Sequence, residues 1–579
     1  MKTKQTRQTL HRISLCLTLL VVALSPAAPA HAAGVVGNGT LASCTEAALT
    51  AALLGGGTVT FNCGGPATIL LLTEKVISQN TIIQGSGVIT ITGGLATRLF
   101  RVDAPASLTL NDIILDSAYS TDGLGGAIES AGTLSLNNVT IQYSQTGPLG
   151  CGGAILARGS VTISDSRFKN NTSGRGGAIC AGDEGDSTRT AQITNTSFEN
   201  NRANIGDGYG GAVILYYGTT LTDVGSTFTQ NIAKYGGALA VMEGAAATLR
   251  SGWGDLTTFF SENSATDTGG AVYSRGALNL LGVRFSQNTV PENTAAVGYG
   301  GGVASLGTLS LNDSRFELNR GRFGGGLFVG GNAGTARAQV QGTIFSYNTA
   351  GVLGGGLYTN FNATVITVTN STFFGNVAVG SGGGLARSDG QLQISNSSFR
   401  QNTASTGGGL YVGPGSTYVQ ARSVTFSANE AVNNRGGGVY NEGRVELYFT
   451  TLVSNTNGVY STLGGNTRFR NAALHNPGSL NCDGDGTAQI SNDAANHVSD
   501  NSCGLQFTNL GDPQLGPSQT GSNNTSFHLP LAGSPLINAG YSNCPVRDQR
   551  GALRPDACDI GAAEFGGLLP VVYLPLLTR

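Results

Sequence analysis

The feature that most narrows what this chain can fold into is a motif that returns through most of its length. Gly-Gly-(Ala/Gly)-aliphatic begins at Gly125, Gly152, Gly176, Gly210, Gly236, Gly269, Gly300, Gly324, Gly354, Gly382, Gly407 and Gly436, twelve copies spaced 24 to 34 residues apart. Out of step with it runs Phe-x-x-Asn, from Phe168-x-x-Asn171 through Phe316-x-x-Asn319 to Phe426-x-x-Asn429, with Leu452 and Asn455 as the eleventh pair. Between the two anchors the residues alternate, as in Gly132-Thr-Leu-Ser-Leu-Asn137 and Gly307-Thr-Leu-Ser-Leu-Asn312. Period two is the mark of half-buried strands, and no helical period interrupts it. A repeat of this length with that pattern is one turn of a solenoid.

Two other solenoids are excluded. A leucine-rich repeat needs a helical or Leu-rich return segment, and the Gly-Gly-x-Gly-x-Asp calcium solenoid has another period and an aspartate that is missing here. The fold class read from the sequence is therefore all-β: a single-stranded parallel β-helix, right-handed because parallel crossovers are. Phenylalanines are expected to stack in its core. The asparagines are expected to sit in a left-handed turn and to bond side chain to side chain between coils. Ser43-Cys-Thr-Glu46 has the form of a capping box before the helical run 47–54, which reads as a short lid on the first coil, and a disulfide-containing C-terminal cap is expected at the far end.

The N-terminus reads as an export signal. Lys2, Lys4, Arg7 and Arg12 precede an apolar stretch, and Ala30-His31-Ala32 offers a small-x-small cleavage site. Beyond it, eight cysteines fall in sequence-local pairs, as expected of an oxidising compartment. Cys44 with Cys63, Cys482 with Cys503 and Cys544 with Cys558 flank the repeats. Cys151 and Cys180 stand at different phases of the repeat, which counts against a bond between them. The organisation is then 1–32 signal, 33–62 N-terminal cap, 63–470 repeats, 471–530 degenerate coils and loops, 531–565 C-terminal module and 566–579 apolar tail. The whole chain has a formal charge of −2, and without the signal it keeps 28 basic against 34 acidic residues. Such a surface has no electrostatic reason to bind nucleic acid. The signal's apolar stretch and the proline-broken tail are both too short to span a membrane.

These motifs resemble the polymorphic outer membrane protein repeats of bacterial surface adhesins, within the pectin-lyase-like superfamily of right-handed parallel β-helices. Cys44-Thr-Glu-Ala-Ala-Leu49 to Phe61-Asn-Cys63 is similar to the CSLREA opening segment. Ser534-Pro-Leu-Ile-Asn-Ala539, with Asp548-Gln-Arg-Gly551 and Cys558-Asp-Ile-Gly561, resembles the closing module called choice-of-anchor Q. The resemblance implies a secreted or surface-displayed protein with polysaccharide or cell-surface partners. It does not imply an activity, because the superfamily mixes lyases, hydrolases and adhesins. The membrane β-barrel that usually ends the polymorphic proteins has no room in the fourteen residues after Phe565.

An enzyme on this fold needs carboxylates converging from neighbouring coils. The position three before the core phenylalanine carries Asn138, Asp165, Asn195, Asp313, Asn370 and Asn396, so its two aspartates are five coils apart. Asp183, Glu184 and Asp186 with Arg175 or Arg189, and Asp483 with Asp485, read as solvated turns. No catalytic residue, metal ligand or cofactor is assigned. Calcium enters only with the alternative reading, a pectate-lyase-like polysaccharide lyase or hydrolase. The binding candidates are the residues after the aliphatic of each glycine motif, which must point opposite to it. In the later copies these include Tyr273, Phe328, Tyr358, Tyr411 and Tyr440, an aromatic stripe along a monomeric rod and the expected glycan- or partner-binding face of a non-catalytic, adhesin-like protein.

Overall fold

The computed structural model describes residues 34–182, 188–203, 207–252, 254, 256–292, 298–331, 336–360, 366–486, 488–541, 543–554 and 557–569. The stretch expected to be an export signal, the acidic run Asp183, Glu184 and Asp186, and the tail beyond 569 lie outside them. The body is a right-handed parallel β-solenoid of about 16 turns, on the order of 75 Å long at ~4.8 Å per coil. The coil that opens at Gly269 is representative, with strands Val272–Ser274, Ala277–Leu281 and Arg284–Ser286. Each pairs in parallel one coil further on, Val272 with Val303, Leu278 with Leu309 and Phe285 with Phe316. The middle strand alternates exposed and buried at every residue, so the period-two pattern is the inside–outside pattern of the coil.

The lumen is a set of columns. Phe168 to Phe426 stack ring on ring with centroids 4.4 to 5.0 Å apart, and Leu452 continues the register. Beside them runs the asparagine column. The Asn319 Oδ1 accepts the backbone N–H (3.0 Å) and a side-chain N–H (2.9 Å) of Asn288, and its Nδ2 donates to Asn348 Oδ1 and to the Phe285 carbonyl, both at 3.0 Å. The column runs on past Asn455 to Asn476 and Asn481. The expected left-handed conformation is displaced by one residue. It belongs to the position before each ladder asparagine, where Asn170, Gln287, Leu318 and Tyr347 all have φ of 55 to 57°. That residue points to solvent and can be of any type, whereas the ladder position needs an inward amide. The second series, Asn138, Asp165, Asn195, Asp313, Asn370 and Asn396, does occupy left-handed turns, with φ of 46 to 52°.

The glycine pair has two separate causes. Gly269 has φ +71°, which L side chains rarely adopt. A Cβ on Gly270 would lie 1.9 Å from the Gly301 carbonyl oxygen of the next coil. The first glycine turns the chain, and the second lets the coils close up.

The ends differ from expectation in detail. An α-helix spans Glu46–Leu53, but its N-cap is Thr45, whose hydroxyl accepts the Ala48 N–H, in place of Ser43. Glu46 turns instead to Lys75 (2.6 Å) and Thr73. Burial alone would raise its carboxyl; these hydrogen bonds outweigh that and hold it at about 2. Cys44–Cys63, Cys482–Cys503 and Cys544–Cys558 are bonded as expected. The C-terminal module does not close the rod. Together with an antiparallel pair that precedes it, Leu515–Thr520 and Ser526–Pro530 in the stretch expected as degenerate coils and loops, it folds back along the outer flank of the phenylalanine strands. There it meets a column of small hydroxyl residues: Thr372 donates to the Asn524 carbonyl, Ser398 accepts from the Ser526 N–H, and Thr425 donates to Gln549. Upstream coils carry Arg284 and Arg315 at that position, too bulky for such a contact. The module is held internally by a buried ionic knot, Asp548–Arg550 and Arg554–Glu564, both at 2.7 Å.

Candidate functional site

The glycine bend folds each coil into a concave corner, and two columns of side chains face each other across it. The first is the column the alternation points outward. In register it runs Glu129, Leu156, Cys180, Ile214, Ala240, Tyr273, Ala304, Phe328, Tyr358, Ala386, Tyr411, Tyr440 and Tyr460. The second is the residue just before each glycine pair, including Leu124, Cys151, Arg175, Tyr209, Tyr235, Tyr299 and Phe323. A second-column residue meets the first-column residue of the next coil. Tyr235 lies 5.5 Å from Tyr273, Tyr299 lies 4.5 Å from Phe328 and Phe323 lies 5.6 Å from Tyr358, centroid to centroid.

Cys151 and Cys180 stand in that same diagonal relation and are bonded, with Cα atoms 5.5 Å apart. The objection from repeat phase is thus overturned: the bend brings the two phases face to face. In this coil a disulfide takes the place that aromatic pairs hold elsewhere.

The rings are less open than an uncrowded stripe. Tyr273, Phe328, Tyr358 and Tyr440 point away from the lumen but are only 7, 2, 5 and 7% exposed, and Tyr411 is half-buried. The second column covers three of them, where an aromatic just before the glycine pair reaches over the corner: Tyr235 against Tyr273, Tyr299 against Phe328 and Phe323 against Tyr358. Tyr440 is instead flanked by the rings of Tyr411 and Tyr460. What solvent meets is the half-buried edge of Tyr209, Tyr235, Tyr299 and Phe323. The hydroxyls are anchored: Tyr411 donates to Glu442 (2.6 Å), Tyr460 to Asp485 (2.6 Å), and Tyr358 lies 3.1 Å from the Ser388 hydroxyl. Burial pushes the Tyr273 phenol up to about 12 and raises those of Tyr358, Tyr411 and Tyr440. These groups therefore act as neutral hydrogen-bonding hydroxyls at any physiological pH.

Toward the N-terminal coils the furrow opens into a cavity of about 650 Å³ walled by Leu124, Pro148, Leu149, Leu156 and the Cys151–Cys180 bridge. Arg158 and Arg175 also line it, and Arg175 donates to the Tyr216 hydroxyl at 3.2 Å. Sequence reasoning missed Tyr460, where the glycine motif has decayed to Asn457-Gly458, and the whole second column. The signal for the latter was present, as an aromatic directly before Gly210, Gly236, Gly300 and Gly324.

The two aspartates of the second turn series do not converge, whereas among the described residues Glu74, Asp122 and Glu129 gather on one guanidinium, Arg98, at 2.5, 2.7 and 2.7 Å, each held as an ion pair. Asp165 and Asp313 lie on separate turns five coils, about 24 Å, apart, and Asp165 accepts from Asn195 at 2.7 Å. Asp223 faces the lumen between Ile193 and Leu249. Burial pushes its carboxyl up to about 6, against hydrogen bonds from Ser226 and Thr258 that pull it down. Among the described residues no three His, Cys, Asp or Glu side chains gather as a metal site. Among them, too, no helix is long and apolar enough to cross a membrane.

Comparison with known proteins returns the repeat itself. The Chlamydia polymorphic membrane protein repeat matches residues 165–182 and 257–275. Each window holds one Phe-x-x-Asn followed by one Gly-Gly-Ala-aliphatic, the two anchors of a coil. The probable outer membrane protein pmp20 of Chlamydia pneumoniae is 27% identical over 53% of this chain and 18% of its own length. The probable autotransporter YfaL of Escherichia coli is 30% identical over 34% of this chain and 17% of its own. The adhesin BmaC autotransporter of Brucella suis is 24% identical over 51% and 9% respectively. This chain thus spans less than a fifth of these relatives. PfbA, a surface adhesin of Streptococcus pneumoniae, overlaps 79% of this chain and 93% of its own at 13% identity and a TM-score of 0.29, too loose to bear on function. The curated relatives are named as an outer membrane protein, an autotransporter and an adhesin, and what they share with this chain is the coil.

Proposed function

We propose that this chain is a secreted or surface-displayed, adhesin-like protein that binds through the furrow and carries out no catalysis. The observation that carries the reading is the furrow itself: a corner holding clusters of aromatic rings, separated at Ala304 and Ala386, with several hydroxyls fixed in place, that opens into a cavity lined by apolar groups and two arginines. Aromatic faces and edges beside fixed polar groups suit sugar rings and partner side chains. The polymorphic-repeat, autotransporter and adhesin relatives support display at a cell surface. In this reading 1–32 is the export signal, the helix lids the first coil, 63–470 is the binding rod, and the choice-of-anchor-like 531–565 with the apolar 566–579 serves attachment. Tyr273, Phe328, Tyr358, Tyr411 and Tyr440 form the furrow floor, and the half-buried second column meets the partner.

The test is binding of the full chain to a glycan array and to cell-wall material. Replacing Tyr358 and Tyr411 with alanine, with the fold checked by circular dichroism, should weaken retention. Retention by neither surface, or equal retention of wild type and variant, rejects the furrow as the binding face.

A further inference from the structure

A second site stands on another face of the rod. On the alternating strands, the outward positions of the preceding coils carry, apart from Arg337, small or neutral polar residues: Ser310 and Asn312, Gln339 and Gln341, Thr367 and Thr369, Gln393 and Ser395. Three successive coils depart from this. Their outward residues are Tyr418, Gln420 and Arg422, then Arg444, Glu446 and Tyr448, then Asn466, Arg468 and Arg470, and they lie in register.

Glu446 is the hub of this grid. Its Oε2 accepts from the Tyr418 hydroxyl at 2.8 Å and the Tyr448 hydroxyl at 2.7 Å, and its Oε1 accepts from Arg444 at 2.7 Å. Arg468 lies 3.6 Å from the same oxygen and pairs with Asp493 at 3.0 Å. The Arg444 guanidinium also lies over the Tyr418 ring, 5.4 Å from its centre. Burial would raise the Glu446 carboxyl, but hydrogen bonds from Arg444, Tyr448 and Tyr418 outweigh it and keep the group ionised.

The charges are layered. Glu446 is 5% exposed, while Arg444 and Arg468 are 48% and 37% exposed. Arg422, also exposed, has no ion-pair partner among the described residues. The anion is sunk into the sheet, and the cations it positions face outward on a chain that is otherwise slightly acidic. Guanidinium groups held in fixed orientation are suited to bidentate recognition of carboxylate or sulfate. Tyrosine rings between them suit the faces of sugars.

We propose that this Tyr–Arg grid, centred on Glu446, is a binding site for an acidic polysaccharide, one bearing carboxylate or sulfate groups along an extended chain. It is independent of the furrow, which lies across the glycine bend. An extended polymer fits because each of three successive coils presents an outward arginine, with Arg422 and Arg470 in one column two coils, ~10 Å, apart and Arg444 and Arg468 beside them.

The experiment is affinity electrophoresis of the purified full chain in gels containing polygalacturonate, dextran sulfate or neutral dextran, at low and high salt. Wild type should be retarded by an anionic polymer, not by neutral dextran, and less so at high salt. Arg422→Gln with Arg468→Gln should lower apparent affinity at least about tenfold. Arg422→Gln alone, at an exposed and unpaired position, should lower it without touching the hub. A charge-matched control, Arg284→Gln with Arg315→Gln on the phenylalanine strands, should leave it unchanged. The proposal is overturned by no retardation, by equal retardation in neutral dextran, or by equal loss in control and grid variants. Retention on an immobilised acidic protein but by neither anionic polymer would assign the face to a protein partner and equally overturn it.

Discussion

Asn319 sits in the middle of the asparagine column, fully buried, with all four side-chain hydrogen-bonding positions filled. Asn319→Leu keeps the volume close and removes all four bonds. The backbone N–H of Asn288 and one of its side-chain N–H groups are left without an acceptor, and the Phe285 carbonyl loses a donor. Two buried donors orphaned at ~1–3 kcal/mol each give ~2–6 kcal/mol. A substitution at a surface position such as Ser310→Ala should stay within about 0.5 kcal/mol. Because a solenoid can open locally, urea unfolding should be paired with amide hydrogen exchange read peptide by peptide. The variant should show a lower urea midpoint and lost protection centred on the coils of Asn288, Asn319 and Asn348. An unchanged midpoint, or protection lost evenly along the rod, would refute the claim that the column carries local stability.

Other changes separate the causes within a coil. Gly301→Ala should destabilise by more than ~3 kcal/mol, because its Cβ would lie 2.2 Å from the Gly325 carbonyl oxygen. Gly302→Ala should cost clearly less, since the nearest oxygen is 2.7 Å away and alanine fills the matching position in the first six copies; equal urea midpoints would contradict this. Replacing both Cys151 and Cys180 with alanine should cost ~2–4 kcal/mol, and reductant acting on wild type should open the same corner in hydrogen exchange; no change in either would count against the bridge. The raised pKa of Asp223 means the folded state holds a proton that the unfolded chain has released between pH 3.8 and about 6. Relative to Asp223→Asn, wild type should therefore gain on the order of 2–3 kcal/mol as pH falls through that window, whereas parallel pH profiles would show the carboxyl is not desolvated.

The lumen was legible in the sequence because its buried positions repeat with few exceptions, Asp223 and Arg387 among them. Phe168 to Phe426 and Asn171 to Asn455 hold one register, and any slip would move an aromatic into water. Features created by the bend were harder to read. Cys151 and Cys180 looked mismatched because phase along the chain is not distance across a corner, and the same geometry hid Tyr209, Tyr235, Tyr299 and Phe323 as covers for the outward rings. Local capping chemistry was misjudged by two residues, since Thr45 and Ser43 are both competent caps and Lys75, which draws Glu46 away, is distant in sequence. The flank docking of the C-terminal module left a trace only in retrospect, as the change from Arg284 and Arg315 to Thr372, Ser398 and Thr425.

The proposed function is that of a rod that binds and does not cut. The direct measurement is incubation of the purified full chain with polygalacturonate, alginate and related polyuronates, with and without calcium, following ultraviolet absorbance for unsaturated products and reducing ends for hydrolysis, with binding read on the same samples. The account predicts retention of polymer with flat absorbance and no new reducing ends under every condition. A calcium-dependent rise in absorbance, or release of reducing ends, would contradict it and make the chain a polysaccharide-degrading enzyme.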